Sequence, residues 1–173
     1  KTAAQILKSK FKLKDLGSFK DISKKIDRNT KGIIGIGENK IRKKIVRECY
    51  RLNKKFKWIN LISKNSIIDR NVHTGEGSVI LSGTVIRNDV KIGNHCLINS
   101  SCSIDHDTIL SDFSSCGPGV VSGGNVFIGQ SSFVGIGSTI KHSIKISDNV
   151  IIGGNSYVNK SCLSGFLYFG NPI

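Results

Sequence analysis

Residues 98–128 read INSSCSIDHDTILSDFSSCGPGVVSGGNVFI. Every sixth residue from Ile98, through Ile104, Leu110, Cys116, Ser122 and Ile128, falls in one column that is apolar at every place but one. The column runs outward in both directions without a one-residue slip, from Ile62 to Val158, and 15 of its 17 members are apolar. A chain with 38% apolar residues would put about six or seven there by chance, so the period is a true repeat. A second column, four residues after the first, runs from Ser66 through Val72, Ser78, Thr84 and Val90 to Ser156 and holds only small or β-branched residues. The second place of the hexad is often glycine, as at Gly75, Gly93, Gly117, Gly123, Gly129, Gly135 and Gly153. Such a place marks a corner that needs either unusual dihedrals or close backbone approach.

A unit of this length is a short strand plus a turn. It buries nothing alone and becomes stable only when stacked in successive coils of a parallel β-helix. With three hexads to a coil, positions 62 to 158 make about five and a half coils, rising about 4.8 Å each into a prism about 25 Å tall. Large aliphatics stack in one internal ladder and small residues in another. Cys96 and Cys102 then belong to the small ladder and Cys116 to the aliphatic one, where a thiol behaves as a small hydrophobe rather than a redox or catalytic group. The period assigns no role to Cys49 or Cys162. Five cysteines without a C-x-x-C pair suggest neither a closed disulfide framework nor a zinc ribbon, and a reducing compartment fits them.

The 173-residue chain is basic on one side only. Residues 1–60 hold 19 of the 26 Lys and Arg against 5 of the 12 Asp and Glu, so they carry all of the net charge of +14, while residues 61–173 hold 7 of each sign. Glycine divides the chain at the same place, with 15 of 19 after residue 60. Two regions follow, 1–60 and 61–173. A basic region implies an anionic partner (nucleic acid, a membrane surface or phosphate-rich small molecules) unless it is simply a solvated lysine-rich face. No apolar run is long enough to span a bilayer and the start, KTAAQILKSKFKLK, lacks the apolar stretch of a secretory signal, so a cytoplasmic protein without a membrane partner is expected. A chain without any methionine is either processed or part of a longer reading frame.

In the N-terminal region, residues 32–36 (GIIGI) read as a short buried strand, Gly37-Glu38-Asn39 as a turn, and 38–53 as a helix with Ile41, Ile45, Cys49 and Leu52 on one stripe. Lys57 to Ile62 supplies a further strand, giving a β-α-β piece whose turn glycines stand at a helix N-terminus, a place that can cradle phosphate or merely make the turn. The first 31 residues are too irregular to assign.

Histidine is scarce, and His73, His95, His106 and His142 all fall outside the inward ladders, near corners or outer faces. His106 is set apart by carboxylates on both sides, Asp105 and Asp107. A neutral imidazole oriented by a carboxylate is a general base near neutral pH; the plainer alternative is a solvated histidine with incidental acidic neighbours. His142, 36 residues on, lies two whole coils away on the same face, about 10 Å distant by the coil spacing, which disfavours a two-histidine metal site.

Taken together, the hexads, Asn99 to Asp107 (NSSCSIDHD), Gly117-Pro118-Gly119, Ser122 to Gly129 (SGGNVFIG), Ile152-Gly153-Gly154-Asn155 and the closing Gly170-Asn171-Pro172 resemble the left-handed β-helix sugar acetyltransferases. Within these, Gly35 to Arg42 (GIGENKIR) is similar to the strand-to-helix turn of the group that joins a small Rossmann-like N-terminal domain to the β-helix. That group contains UDP-4-amino-sugar N-acetyltransferases of bacillosamine-type pathways and sialic acid O-acetyltransferases, and the likeness runs from about residue 17 to the end. The resemblance implies a left-handed parallel β-helix with a small N-terminal α/β domain for nucleotide-sugar binding and a short C-terminal tail. It also implies acetyl-CoA as co-substrate, no metal, and a homotrimer.

Carried onto this chain, the resemblance makes His106 the general base, with Asp107 raising its basicity. It sets Gly124, Ile136 and Gly154 against acetyl-CoA and Gly37 against the nucleotide-sugar. Ser115 stands where some members have a second histidine near the cofactor, so that contact is weakened or replaced. The group's initial strand, glycine-rich phosphate turn and acidic pair are not seen here, and Ser122 breaks the aliphatic ladder. The activity implied is N-acetylation of a nucleotide-linked amino-sugar. O-acetylation of a sugar of the sialic acid type uses the same base. A scaffold that binds nucleic acid through its basic region is the alternative of another class, against which stand the scattered aromatics and the lack of an RNA-binding signature.

Overall fold

The structure is a computed structural model that describes Asp21 and residues 29–173. Residues 1–20 and 22–28 lie outside the described ones, and with them the start of the region expected over 1–60 and of the family likeness at about residue 17. Seventeen two-residue strands, from β3 (Leu61–Ile62) to β19 (Tyr157–Val158), follow one another every six residues. Each of these that has a successor one coil on pairs with it in parallel and in a fixed register, as Ser103 with Val121 and Ile109 with Phe127. The result is a parallel β-helix with three faces. Face one begins at Leu61–Ile62 with seven strands, face two at Ile67–Ile68 with six, and face three at His73–Thr74 with five.

Both inward ladders form as the period predicts from the second coil onward, whereas Ile62 and Ile68, in the first coil with nothing stacked beneath them, are exposed. Ile80, Ile86, Ile98, Ile104, Ile128 and Val134 are wholly buried, and so are Ser78, Thr84, Thr108, Ser114, Ser132 and Ser138 in the small column. The second column is small because its polar members hold the coils together. Ser132 Oγ donates to the Ser147 carbonyl at 2.7 Å and accepts from the Val150 amide at 3.0 Å. Ser78 does the same with Gly93 and Cys96, and the thiol of Cys102 reaches the Gly117 carbonyl at 3.1 Å. Buried hydroxyls that would otherwise cost stability are thereby satisfied. Of the two reasons for second-place glycine, close approach is the one that holds: a Cβ on Gly135 would stand 2.5 Å from the Gly154 amide nitrogen. The unusual dihedrals lie two residues later. Every fourth place from Asn71 to Asn155 has φ between 54° and 74°, the left-handed region that Asn, Asp and Gly enter most easily.

The C-terminal segment is more than a tail. Cys162, buried and bridged in parallel to Ile146, takes the next rung of the aliphatic ladder two residues early, and β20 (Leu167–Tyr168) pairs with Ile151–Ile152 to close a shortened last coil.

In the N-terminal part, β1 (Lys31–Gly32) pairs in parallel with β2 (Lys57–Trp58), with helix α1 (Asn39–Leu52) between them. Three expectations are corrected here. The strand expected over 32–36 ends at Gly32, where its partner strand turns away after Ile59 to join the coil, and the carbonyls of Ile36 and Gly37 accept from Arg42 instead. The strand expected over 57–62 is two strands: Ile59 still donates to Gly32, whereas Leu61 donates to Ser78 and has joined the coil. The buried stripe of α1 is Asn39, Arg42, Val46 and Cys49, while Ile41 and Leu52 are exposed. The stripe is turned because the helix docks through polar groups as well as apolar ones.

Candidate active site

His106 and Asp107 are the two central residues of the corner between faces two and three, just after the strand Ser103–Ile104. The corner geometry dictates their relation. Asp107 has the left-handed φ of 58° required at the fourth place, and its carboxylate Oδ2 lies 2.7 Å from His106 Nδ1. Asp105 Oδ1 accepts the His106 amide at 2.8 Å. The hydrogen bond to Asp107, with the charge of Asp105 behind it, holds the imidazole above its usual pKa range. The ring stays open to solvent, with 59% of its side chain exposed. Since Asp107 engages Nδ1, the proton-accepting nitrogen is Nε2. In the next coil Gly124 lies directly against that edge: a Cβ there would stand 2.6 Å from Nε2, so only glycine leaves the ring in place. His106, Gly124 and His142 form one column, tied by the Asn125 amide to the His106 carbonyl and the Ser143 amide to the Gly124 carbonyl.

Ile136 and Gly154 also meet, but at the corner between faces one and two. Ile136 is 57% exposed, and a Cβ on Gly154 would stand 3.0 Å from its Cγ2. Within one chain, therefore, His106 with Gly124 and Ile136 with Gly154 occupy different corners bounding face two. Ser115 is apart from both. It is wholly buried, its hydroxyl donating to Asn39 Oδ1 at 2.7 Å and accepting from Arg42 Nη2 at 2.8 Å. Gly37 lies in an exposed loop with open space before it.

In the sequence Arg42 reads as one cation among many. It is only 2% exposed, and its guanidinium donates to the carbonyls of His95, Phe113, Ile36 and Gly37 and to the side chains of Asn39 and Ser115. Asn39 adds bonds to the carbonyls of Ser131 and Ser132. These contacts fasten α1 to the third corner, between faces three and one. There the fourth-place residues are bulky despite their left-handed backbone: His95 stacks on Phe113, with ring centroids 5.1 Å apart, and Trp58 meets His95 edge-on at 4.9 Å. The only sequence signal was two large residues where the hexad calls for Asn or Gly.

All five cysteines are buried and free; burial pushes the Cys96 thiol up to about 11 and Cys116 well above the usual range, so they remain protonated packing groups. Among the described residues no group of three or more His, Cys, Asp or Glu is placed to hold a metal ion, and no described helix is long and apolar enough to cross a membrane.

No family model matches the sequence. Solved structures do match. WeeI from Acinetobacter baumannii AYE superposes with a TM-score of 0.84 at 26% identity, over 89% of this chain and 74% of that one. PerB from Caulobacter crescentus, in complex with CoA and GDP-perosamine, gives 0.78 at 27% identity over 82% and 67%. The acetyltransferase domain of PglB from Neisseria gonorrhoeae FA1090 gives 0.77 at 25% identity over 80% and 67%. The chain matches the hexapeptide-repeat sugar acetyltransferases. It spans about two thirds of the length of such structures, 66% in the case of a mutant GDP-perosamine N-acetyl transferase from Caulobacter crescentus bound to CoA and GDP-perosamine.

Proposed function

We propose that the protein is an acetyl-CoA-dependent acyltransferase that acetylates the amino group of a nucleotide-linked amino-sugar, with His106 as general base. The observation that carries this is the 2.7 Å pair of His106 and Asp107 on an exposed corner under Gly124, in a coil whose neighbours include N-acetyltransferases held with CoA and GDP-perosamine. The amine nitrogen attacks the thioester carbonyl as Nε2 takes its proton. A carbon–nitrogen bond forms, the carbon–sulfur bond breaks, and the imidazolium returns the proton to the departing thiolate. Asp107 stabilises the imidazolium meanwhile. Alignment of two substrates and one base suffices for this chemistry.

Gly124, Ile136 and Gly154 are the proposed acetyl-CoA contacts. Their division between two corners favours a homotrimer in which the cofactor lies between protomers, with the base from one chain and Ile136 and Gly154 from the next. Ser115 would act on the cofactor only through its bonds to Asn39 and Arg42. Gly37 faces the nucleotide-sugar in this reading, in an N-terminal domain of Rossmann-like type whose positive charge suits a diphosphate. The coil is of the left-handed kind and the enzyme cytoplasmic.

The test is thiol release from acetyl-CoA with UDP- and GDP-linked 4-amino-sugars and free sialic acid as acceptors. Turnover of one amino-sugar is expected; turnover of sialic acid alone would move the reading to O-acetylation, and no acetyl-CoA binding would overturn it.

A further inference from the structure

We propose that Ser122 is a positioning residue for His106: its hydroxyl sets the backbone of the corner that carries the base, in place of an aliphatic rung of the core. The inference rests on the reading of His106 as the base.

All along the coil, the amide at the second place of each hexad donates to the first-place carbonyl of the next coil, as Arg87 does to Ile104, Asn99 to Cys116 and Gly123 to Ile140. Among the described residues from Ser63 to Lys141, Asp105 alone departs from this pattern. Its amide donates instead to the Ser122 hydroxyl, at 3.3 Å. Asp105 is the residue before His106 and also caps the His106 amide, so an altered bond at Asp105 is an altered seat for the base. Ser122 itself is 3% exposed, between Ile104 and Ile140 in a ladder otherwise buried and aliphatic at this level.

Apolar burial has thus been given up at the one rung whose partner amide adjoins the base. From the same coil, Gly124 confines the imidazole edge and the Asn125 amide holds the His106 carbonyl. The charged groups facing the ring are Asp105 and Asp107 on its own turn; Gly124 above and Asn88 below carry no charge.

The experiment compares Ser122→Ala, Ser122→Thr and Ser122→Val with the wild-type protein. Ser122→Ala should lower kcat about tenfold, the scale of a small misplacement of a catalytic group, with KM for acetyl-CoA unchanged. The His106 ring, followed by NMR, should titrate at lower pH as its pairing with Asp107 loosens. Ser122→Thr keeps the hydroxyl and should restore both. Ser122→Val refills the ladder and should raise Tm while kcat stays low, a combination that a packing role would not produce. Wild-type kcat and an unmoved His106 titration in Ser122→Ala would overturn the proposal, whatever happens to Tm. Should the wild-type protein acetylate no amino-sugar, the proposed function falls, yet the His106 titration in Ser122→Ala still decides this point by itself.

Discussion

At the scale of single residues, His106 is defined by what surrounds it rather than by burial. Its ring is solvent-exposed, and its character comes from one carboxylate at Nδ1 and one glycine at Nε2. Removing the ring in His106→Ala should lower kcat by about two to four orders of magnitude with the coil intact, measured by thiol release and circular dichroism. In its proposed role His106 works deprotonated, and Asp107 raises its pKa, so kcat/KM should rise with pH through a value above that of an ordinary histidine. In Asp107→Asn that rise should move to lower pH and the plateau should fall; an unshifted profile would show that Asp107 does not govern the base. Gly124→Ala brings a carbon to 2.6 Å from Nε2, so the ring must move, and kcat should fall at least about tenfold. His106 and Asp107 were legible in the sequence because they are adjacent in it. The grip of Gly124 was not, since it acts across one coil.

At the scale of elements, α1 is fastened by a buried cation with no carboxylate partner among its bonds. Arg42 satisfies four carbonyls that have left regular pairing, so Arg42→Met should destabilise the docked segment by at least about 3 kcal/mol, read by urea unfolding. Lysine could not substitute, because its single ammonium cannot reach six acceptors. His95 adds a pH dependence. Burial lowers its pKa, with Arg42 acting the same way against the opposing charges of Glu76 and Asp112. A histidine depressed in the folded state contributes stability that is full above its ordinary pKa and is lost as pH falls through that value. Acidification should therefore lower Tm more in the wild-type protein than in His95→Phe. Phenylalanine is tolerated there, for Phe113 holds the same left-handed place one coil on, with φ 60°. The helix itself was evident from its periodicity and charge, but its docking stripe was not. Hydrophobicity pointed to Ile41 and Leu52, and only the position of the coil's exposed carbonyls turns Asn39 and Arg42 inward.

At the scale of the molecule, the three corners of the prism have taken three tasks. One docks α1, one carries His106, and one presents Ile136 and Gly154. If the site forms between chains, two inactive variants should complement each other. His106→Ala and Ile136→Glu, each inactive alone, should regain about a quarter of the wild-type sites when mixed and reassembled as a cyclic trimer. No recovery in verified mixed oligomers would place the whole site within one chain.

The sequence by itself determined the coil, its register and the inward ladders, because a six-residue period is a local property that every hexad states again. It also singled out His106, the proposed base, through carboxylates next to it in the chain. What only the tertiary structure decided are the contacts made across coils, such as the Ser122 hydroxyl at Asp105 and Gly124 at the imidazole edge, and those made between α1 and the coil. These depend on which residues the winding sets one above another and which carbonyls a corner leaves free, and neither is written in any one stretch of the chain.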